Sequence, residues 1–348
     1  MANHERKLAT IQTIKSIDSI EGADRIDRAR VMGWGVVVQK GKHEVGEKVV
    51  YFEIDSYLPI ESKYEFLKDS YRNNVFMGEG YRLRTKKLRG VVSQGLIMSL
   101  ADFDDKDLSN LEVGTDLTEM LNVKLYDVPE NTSLGERTKS MFHPVISKTD
   151  EIRAQSDERY INELRGHPYY ISEKVDGQSL TIVKEGEVVQ VFMRNTEVLY
   201  DEFSPMWVEL TKKGLIDLIK DSPEDIFIQG EWYGEGIQKN KLNIKGREFA
   251  LFNVGSPITG EVYPFNKWNE IFAWLDPNNI LKTVKILEVG DSFDYTLEEL
   301  QDFSKGNYDN AGQREGIVIR PTDGRTMKNK TRLSFKVINN DFLIKHNL

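Results

Sequence analysis

The 348-residue chain contains no cysteine. That excludes a disulfide framework, a thiolate zinc site and a cysteine nucleophile together, and it fits a reducing interior. The opening stretch, MANHERKLATIQTIKSI, lacks the apolar core of a secretory signal. No apolar run approaches the roughly 20 residues that span a bilayer. The expectation is a cytoplasmic or otherwise intracellular protein, a monomer, with no membrane partner. Positive charge is in short supply: 47 Lys and Arg against 56 Asp and Glu leave a net charge of -9. This disfavours a passive nucleic-acid coat, which takes most of its affinity from basic surface. An enzyme with a local basic track on an acidic body remains open.

What is present suits two domains. Over the first hundred residues, short β-branched and aromatic runs alternate with glycine turns, at 31–38, 48–54, 91–92 and 95–98. Arg82, Arg84 and Lys86 alternate with Leu83 and Thr85, a strand with one cationic face. Such spacing predicts a small all-β barrel or sandwich rather than βαβ units. Residues 126–148, with Pro129 and Pro144, read as a connector. Beyond it, a helix is expected from Thr149 or Asp150 to Leu164, capped at its start. Strands follow near 169–174, 179–184, 188–193, 226–232, 247–254, 316–320 and 332–338, with helices near 204–220, 265–275 and 296–304. The division is a β-rich module over 1–125, a linker over 126–148 and an α+β domain over 149–348.

Chemistry concentrates in the larger domain. Glu173-Lys174-Val175-Asp176-Gly177 ends one strand. A K-x-D-G match alone arises by chance in on the order of one such chain in ten, and its bland reading is a strand end with an Asp-Gly turn. Three further sites change the odds. Glu231 sits within Ile228-Gln229-Gly230-Glu231-Trp232, Glu315 heads Gly316-Ile317-Val318-Ile319, and Lys336 interrupts Leu333-Ser334-Phe335-Lys336-Val337. Charges are rarely buried without partners, and two acids and two lysines can solve that problem for one another. The bland alternative is a pair of unrelated buried salt bridges.

The combination has a chemical sense. A lysine amine attacks phosphorus only when deprotonated, and its ordinary pKa of about 10.4 is too high. A divalent ion or a second lysine, here Lys336, would lower it. Lys336 can also hold a phosphate. Asp176, Glu231 and Glu315 are hard oxygen donors that suit Mg2+ or Mn2+, held through the ion's waters.

These motifs, with Arg194 in Phe192-Met193-Arg194-Asn195 and Phe252 in Phe249-Ala250-Leu251-Phe252, resemble in order those of the covalent nucleotidyltransferases. That superfamily comprises DNA ligases, RNA ligases and capping enzymes. The run from Gly230 to Lys239 is most similar to RNA ligases. The resemblance implies an ATP-grasp-like ligase domain and a three-step reaction. Lys174 attacks ATP, AMP passes to an RNA 5′-phosphate, and a 3′-hydroxyl displaces AMP. It implies that Arg194 and Glu231 contact the sugar, Phe252 stacks on adenine, Glu173 helps read the base, Glu315 binds metal and Lys336 meets the α-phosphate. The last motif departs from the family's K-x-K, because Ile338 holds its second position. The phosphate contact of that second lysine is then either lost or supplied from elsewhere, with Lys328 and Lys330 the candidates.

Only twelve residues follow Lys336, too few for the C-terminal OB-fold of DNA ligases and capping enzymes. An N-terminal OB-like domain resembles instead one branch of ATP-dependent RNA ligases. Residues 49–59 and 88–96, and Lys148-Thr149-Asp150-Glu151-x-Arg153, are similar to that branch, the last without an assigned role. Arg82, Arg84, Lys86, Lys87 and Arg89, headed by Tyr81, are the expected RNA-binding track; a solvated edge strand is the alternative. The partner is then RNA with 3′-OH and 5′-phosphate ends, in RNA repair or end sealing. A capping-type guanylyltransferase and a non-catalytic RNA-binding OB protein are the competing readings.

Overall fold

A computed structural model describes residues 6–103, 106–127, 136–309 and 312–348. Contacts divide the chain into two compact units. The first is drawn from Met1–Pro129, Gln155–Glu158 and Asn340–Leu348, the second from Glu130–Ala154 and Arg159–Asn339. Among the described residues no helix is long and apolar enough to cross a membrane.

The first unit is built around Ala9–Ser19, a strand not anticipated from the sequence. Its first half pairs with Lys48–Phe52 and its second with Ile26–Val31, with a register shift between Ile14 and Ser16. The bulge lets one strand serve two ladders and curls the sheet. Leu96–Ser99 and Trp34–Gln39 complete five strands. A four-stranded sheet runs Lys124–Leu125, Ser56–Leu58, Gly78–Arg82, Tyr71–Asn74. Leu8, Ile11, Phe52, Leu58, Tyr64 and Phe103 share the core. The all-β, OB-like expectation holds, with three corrections in detail. The run 31–38 is a hairpin, because Met32 turns at φ 52 ahead of Gly33. The cationic stretch is not one strand: its strand ends at Arg82, and Lys86–Leu88 forms a separate hairpin with Val91–Ser93. Leu96–Ser99 joins Lys48–Phe52 rather than its sequence neighbour.

The second unit holds two sheets. A six-stranded antiparallel sheet runs Thr138–Lys139, Glu197–Val198, Val188–Met193, Gln178–Glu185, Ile226–Gly234, Arg247–Gly255. A five-stranded sheet runs Ile152–Arg153, Phe335–Ile338, Gly316–Pro321, Tyr169–Lys174, Ile286–Gly290. Helices Pro205–Lys212, Leu215–Lys220 and Trp268–Leu275 bury Met206, Trp207, Leu218 and Ile271 with Leu180, Ile182, Ile228 and Leu251 of the first sheet. Helices Arg159–Leu164 and Leu297–Phe303 bury Ile161, Leu164 and Leu300 with Ile171, Ile317, Ile319, Phe335 and Val337 of the second. The mixed α+β expectation therefore stands.

The helix expected from residue 149 begins only at Arg159. Glu151 is buried among arginines and Ile152–Arg153 pairs in parallel with Phe335–Lys336, so tertiary pairing overrides local helix signals there. Helix 204–220 breaks at Gly214, φ 74. The contact division also departs from the residue boundaries read above. From Glu136 onward the described connector packs in the second unit, and Asn340–His346 packs in the first, where Thr85 N–H donates to the Leu348 carbonyl at 3.1 Å. Residues 128–135 of the expected linker lie outside the described residues.

Candidate active site

Strand alternation sets the site. In the five-stranded sheet, Ile171, Ile317, Ile319, Phe335 and Val337 turn to the core. Tyr170, Ser172 and Lys174, with Arg320 and Lys336, alternate to the opposite face. Lys174 ends a strand of this sheet and Gln178 begins one of the other, so Lys174-Val175-Asp176-Gly177 is the crossing between them. The glycine has a steric reason. A Cβ on Gly177 would lie 2.5 Å from the Trp232 carbonyl and 2.9 Å from Glu231 Cγ. The close approach brings Glu231 alongside the crossing.

Lys174 pairs with Gly316, which delivers the neighbouring Glu315: Nζ lies 2.6 Å from its Oε2. Tyr308, absent from the sequence reading, ties the two together. Its hydroxyl donates to the Lys174 carbonyl at 2.7 Å and accepts from the Glu315 amide at 3.0 Å.

The electrostatics refine the expected lysine chemistry. Burial pulls the Lys174 ammonium toward deprotonation, but Glu315, then Glu231 and Asp176, outweigh it and raise its pKa. The expectation of a nucleophile lowered by its second cation is therefore reversed among the protein's own groups. The lowering falls on Lys336, brought to about 8 by burial and then by Lys174 and Arg153. Burial lifts Glu231 to about 8, with Glu315 and Asp176 adding to the rise against Lys174. Asp176 is lifted to about 6 by burial and by Glu315, against the opposing charge of Lys241. Burial is the first cause of both rises, and the acids add to it by crowding one another.

Lys241 was missed by the sequence reading. Its Nζ lies 3.0 and 2.8 Å from the two carboxylate oxygens of Asp176, with both side chains 9% exposed. Lys241 comes from the loop after Ile226–Gly234, where Gln238, Lys239, Asn240 and Asn243 all take positive φ. No regular periodicity marks such a loop. Among the described residues, no three His, Cys, Asp or Glu side chains are grouped to ligate one metal ion directly.

The other expected residues are placed less uniformly. Glu173 is buried, with Arg314 at 4.0 Å, and burial raises its pKa. Phe252 packs with Val175, Ala250 and Tyr308, and the Arg320 guanidinium lies 5.5 Å from its ring centroid. Arg194 is half-exposed and meets Asp150 at 3.2 Å. Ile338 is buried beside Gly316, and Lys328 and Lys330 are exposed in the turn closed by Met327 and Thr331.

The segment left without a role proves to be a strap across the two sheets. On the six-stranded side, Lys148 donates to Asn195 at 2.6 Å, Thr149 meets Ser179 at 2.8 Å and Asp150 meets Arg194. On the five-stranded side, Glu151 takes Arg320 at 2.6 Å and Arg332 at 2.8 Å, and Ile152–Arg153 extends the sheet beside Lys336. Burial opposes ionisation of Glu151, but Arg320 and Arg332 win and hold it at about 2.

Lys174 end-on to Glu315, with Asp176 and Glu231 beside them and Lys336 two strands away on the same sheet face, matches the constellation expected of a covalent nucleotidyltransferase. Comparisons with known proteins narrow it. An RNA ligase family model matches residues 167–338, and an OB-fold domain model matches residues 8–100. The chain is similar to solved structures of Naegleria gruberi RNA ligase. A lysine-to-alanine mutant with ATP and Mn is 31% identical with a TM-score of 0.89, covering 98% of this chain and 99% of that one. The same ligase with pyrophosphate is 32% identical, TM-score 0.88, with 99% of each chain covered. A glutamate-to-alanine mutant with AMP and Mn is 32% identical, TM-score 0.89, covering 98% and 99%. The chain belongs to the RNA ligases, in the branch that joins an N-terminal OB-fold domain to a nucleotidyltransferase domain.

Proposed function

We propose that the protein is an ATP-dependent RNA ligase that joins 3′-OH and 5′-phosphate ends through Lys174-AMP. The observation that carries this is Lys174 Nζ set 2.6 Å from Glu315, in one electrostatic cluster with Glu231, Asp176 and Lys336. Lys174 Nζ bonds to the α-phosphorus of ATP, the bond to pyrophosphate breaks, and the lysine proton leaves. AMP then passes to an RNA 5′-phosphate oxygen, and the 3′-hydroxyl oxygen displaces it.

Asp176 and Glu231, raised by burial and by the charge of Glu315 beside them, fit a divalent cation. Asp176, Glu231 and Glu315 would hold it through its waters, and Mg2+ or Mn2+ would supply the counter-charge that lets the amine shed its proton. Lys336 would meet the α-phosphate and Phe252 the adenine, with Arg194 and Glu231 at the sugar and Glu173 at the base edge. Tyr308 keeps Lys174 and Glu315 in register. The second unit would act as the adenylation domain and the first as the RNA-binding module, in a monomer that works inside the cell to repair or seal RNA ends.

Incubation with labelled ATP or GTP and Mg2+ tests the reading. A protein–AMP adduct absent from Lys174→Ala is expected. A GMP adduct would favour a capping enzyme, and no adduct with either nucleotide would favour a non-catalytic RNA-binding protein.

A further inference from the structure

The four-stranded sheet of the first unit has two unlike faces. Leu58, Tyr81 and Leu125 pack toward the core. The ladder sets Lys124 opposite Tyr57, Tyr57 opposite Arg82, and Arg72 opposite Gly80. With a side-chain period of two, Lys124, Tyr57, Arg82 and Arg72 therefore share the other face. Gly80 is needed there: a Cβ would come within 2.7 Å of the Tyr57 ring. Tyr126 continues the same alternation, its centroid 5.3 Å from that of Tyr57 and 4.3 Å from the Arg82 guanidinium carbon. Arg84 lies two residues past the end of Gly78–Arg82, where Leu83 still bonds to Ser56 and Asp55. Its guanidinium donates to the Asn347 carbonyl at 3.4 Å, and burial, then the charges of Arg72 and Arg82, lower its pKa. Asp55, 3.7 Å from Arg82, offsets one of these charges.

We infer that this face holds a single strand of the RNA substrate, with Arg72, Arg84 and Lys124 on phosphates and the Tyr126 ring under a base. The inference rests on the RNA ligase reading and deepens it. Cations beside an aromatic ring are what single-stranded RNA recognition requires, since the backbone supplies charge and an unstacked base supplies a π-face. On a chain of net charge -9, this face gathers positive charge locally, which is what a phosphate backbone would meet. The track read from the sequence divides accordingly. Arg82 and Arg84 belong to the face, whereas Lys86, Lys87 and Arg89 lie exposed in and beside the separate hairpin.

The test is anisotropy of a fluorescent single-stranded RNA with a 3′-OH, titrated with the full-length protein over a salt series. Three lost phosphate contacts should lower the slope of log K against log salt by about 2, at roughly 0.7 per contact. For Arg72→Gln/Arg84→Gln/Lys124→Gln the expected result is that fall, with affinity down roughly 10- to 100-fold and ATP adduct formation within about twofold of the parent. Tyr126→Leu, judged beside its melting curve, should weaken binding without changing the slope. An unchanged slope and affinity in the triple variant would overturn the inference. So would loss of binding confined to Lys86→Gln/Lys87→Gln/Arg89→Gln. Failure of the RNA ligase reading is separate, since it appears as a parent protein that forms no AMP adduct.

Discussion

Replacing Glu151 by glutamine tests whether the strap does more than connect sheets. The carboxylate is 8% exposed and takes Arg320 at 2.6 Å, Arg332 at 2.8 Å and the Ser334 hydroxyl at 3.4 Å. Its pKa stands at about 2 against an ordinary 4.5. At 1.36 kcal/mol per pKa unit, that difference corresponds to about 3 kcal/mol of preference for the ionised form in the fold. Glutamine keeps the shape but leaves Arg320 and Arg332 short of their counter-charge, a loss of about 3–5 kcal/mol for a broken buried pair. For a domain of this size the loss appears as a Tm about 6–20 °C lower. The sign in pH follows from the depressed pKa. The contribution is fully present above about 4.5 and is lost as pH falls toward 2, so the gap between parent and variant narrows on acidification. Arg320 also lies over Phe252, so freeing it should raise the KM for ATP in adduct formation more than it lowers kcat. Thermal unfolding at pH 7 and pH 4, with initial adduct rates across ATP concentrations, measures both effects. A Tm within about 1 °C of the parent at pH 7, or a kcat loss with unchanged KM, would refute the reasoning.

Three further perturbations follow from the site. Lys336 carries its charge below about pH 8 and loses it above, so ATP affinity should decline as pH rises through that value. Lys336→Arg should flatten the decline in an equilibrium binding titration. Lys241→Ala leaves Asp176 without its bidentate partner and should cost about 3–5 kcal/mol in a urea melt; a loss under about 1 kcal/mol would show the pair to be idle. Gly177→Ala forces a methyl against the Trp232 carbonyl and Glu231. It should cost about 1–3 kcal/mol by overpacking and reduce adduct formation at least tenfold, whereas normal adduct rates would separate the glycine from the placement of Glu231.

The sequence by itself determined the chemistry and the alternation. Lys174, Asp176, Glu231, Glu315 and Lys336 were legible because a charge in an apolar strand is rare, and period-two spacing shows which neighbours face the core. The order of those motifs pointed to the superfamily, and the run from Gly230 to Lys239 with the N-terminal place of the OB-like module narrowed it to RNA ligases. Local signals misled where pairing partners are distant, as at 149–158, where helix-compatible residues become a strap because Arg320, Arg332 and Phe335–Lys336 claim them. The tertiary structure alone decided the balance of charge. Two lysines and three acids are the same set in any arrangement, but Coulomb interactions depend on distance. Only with Glu315 at 2.6 Å does the pKa of Lys174 rise and the lowering pass to Lys336. Lys241 and Tyr308 were invisible for the same reason, coming from loops with no periodicity to announce them. The basic track was half legible. Arg82 and Arg84 alternate visibly, but Arg72, Lys124 and Tyr126 join them only because strands far apart in the chain become neighbours in one sheet.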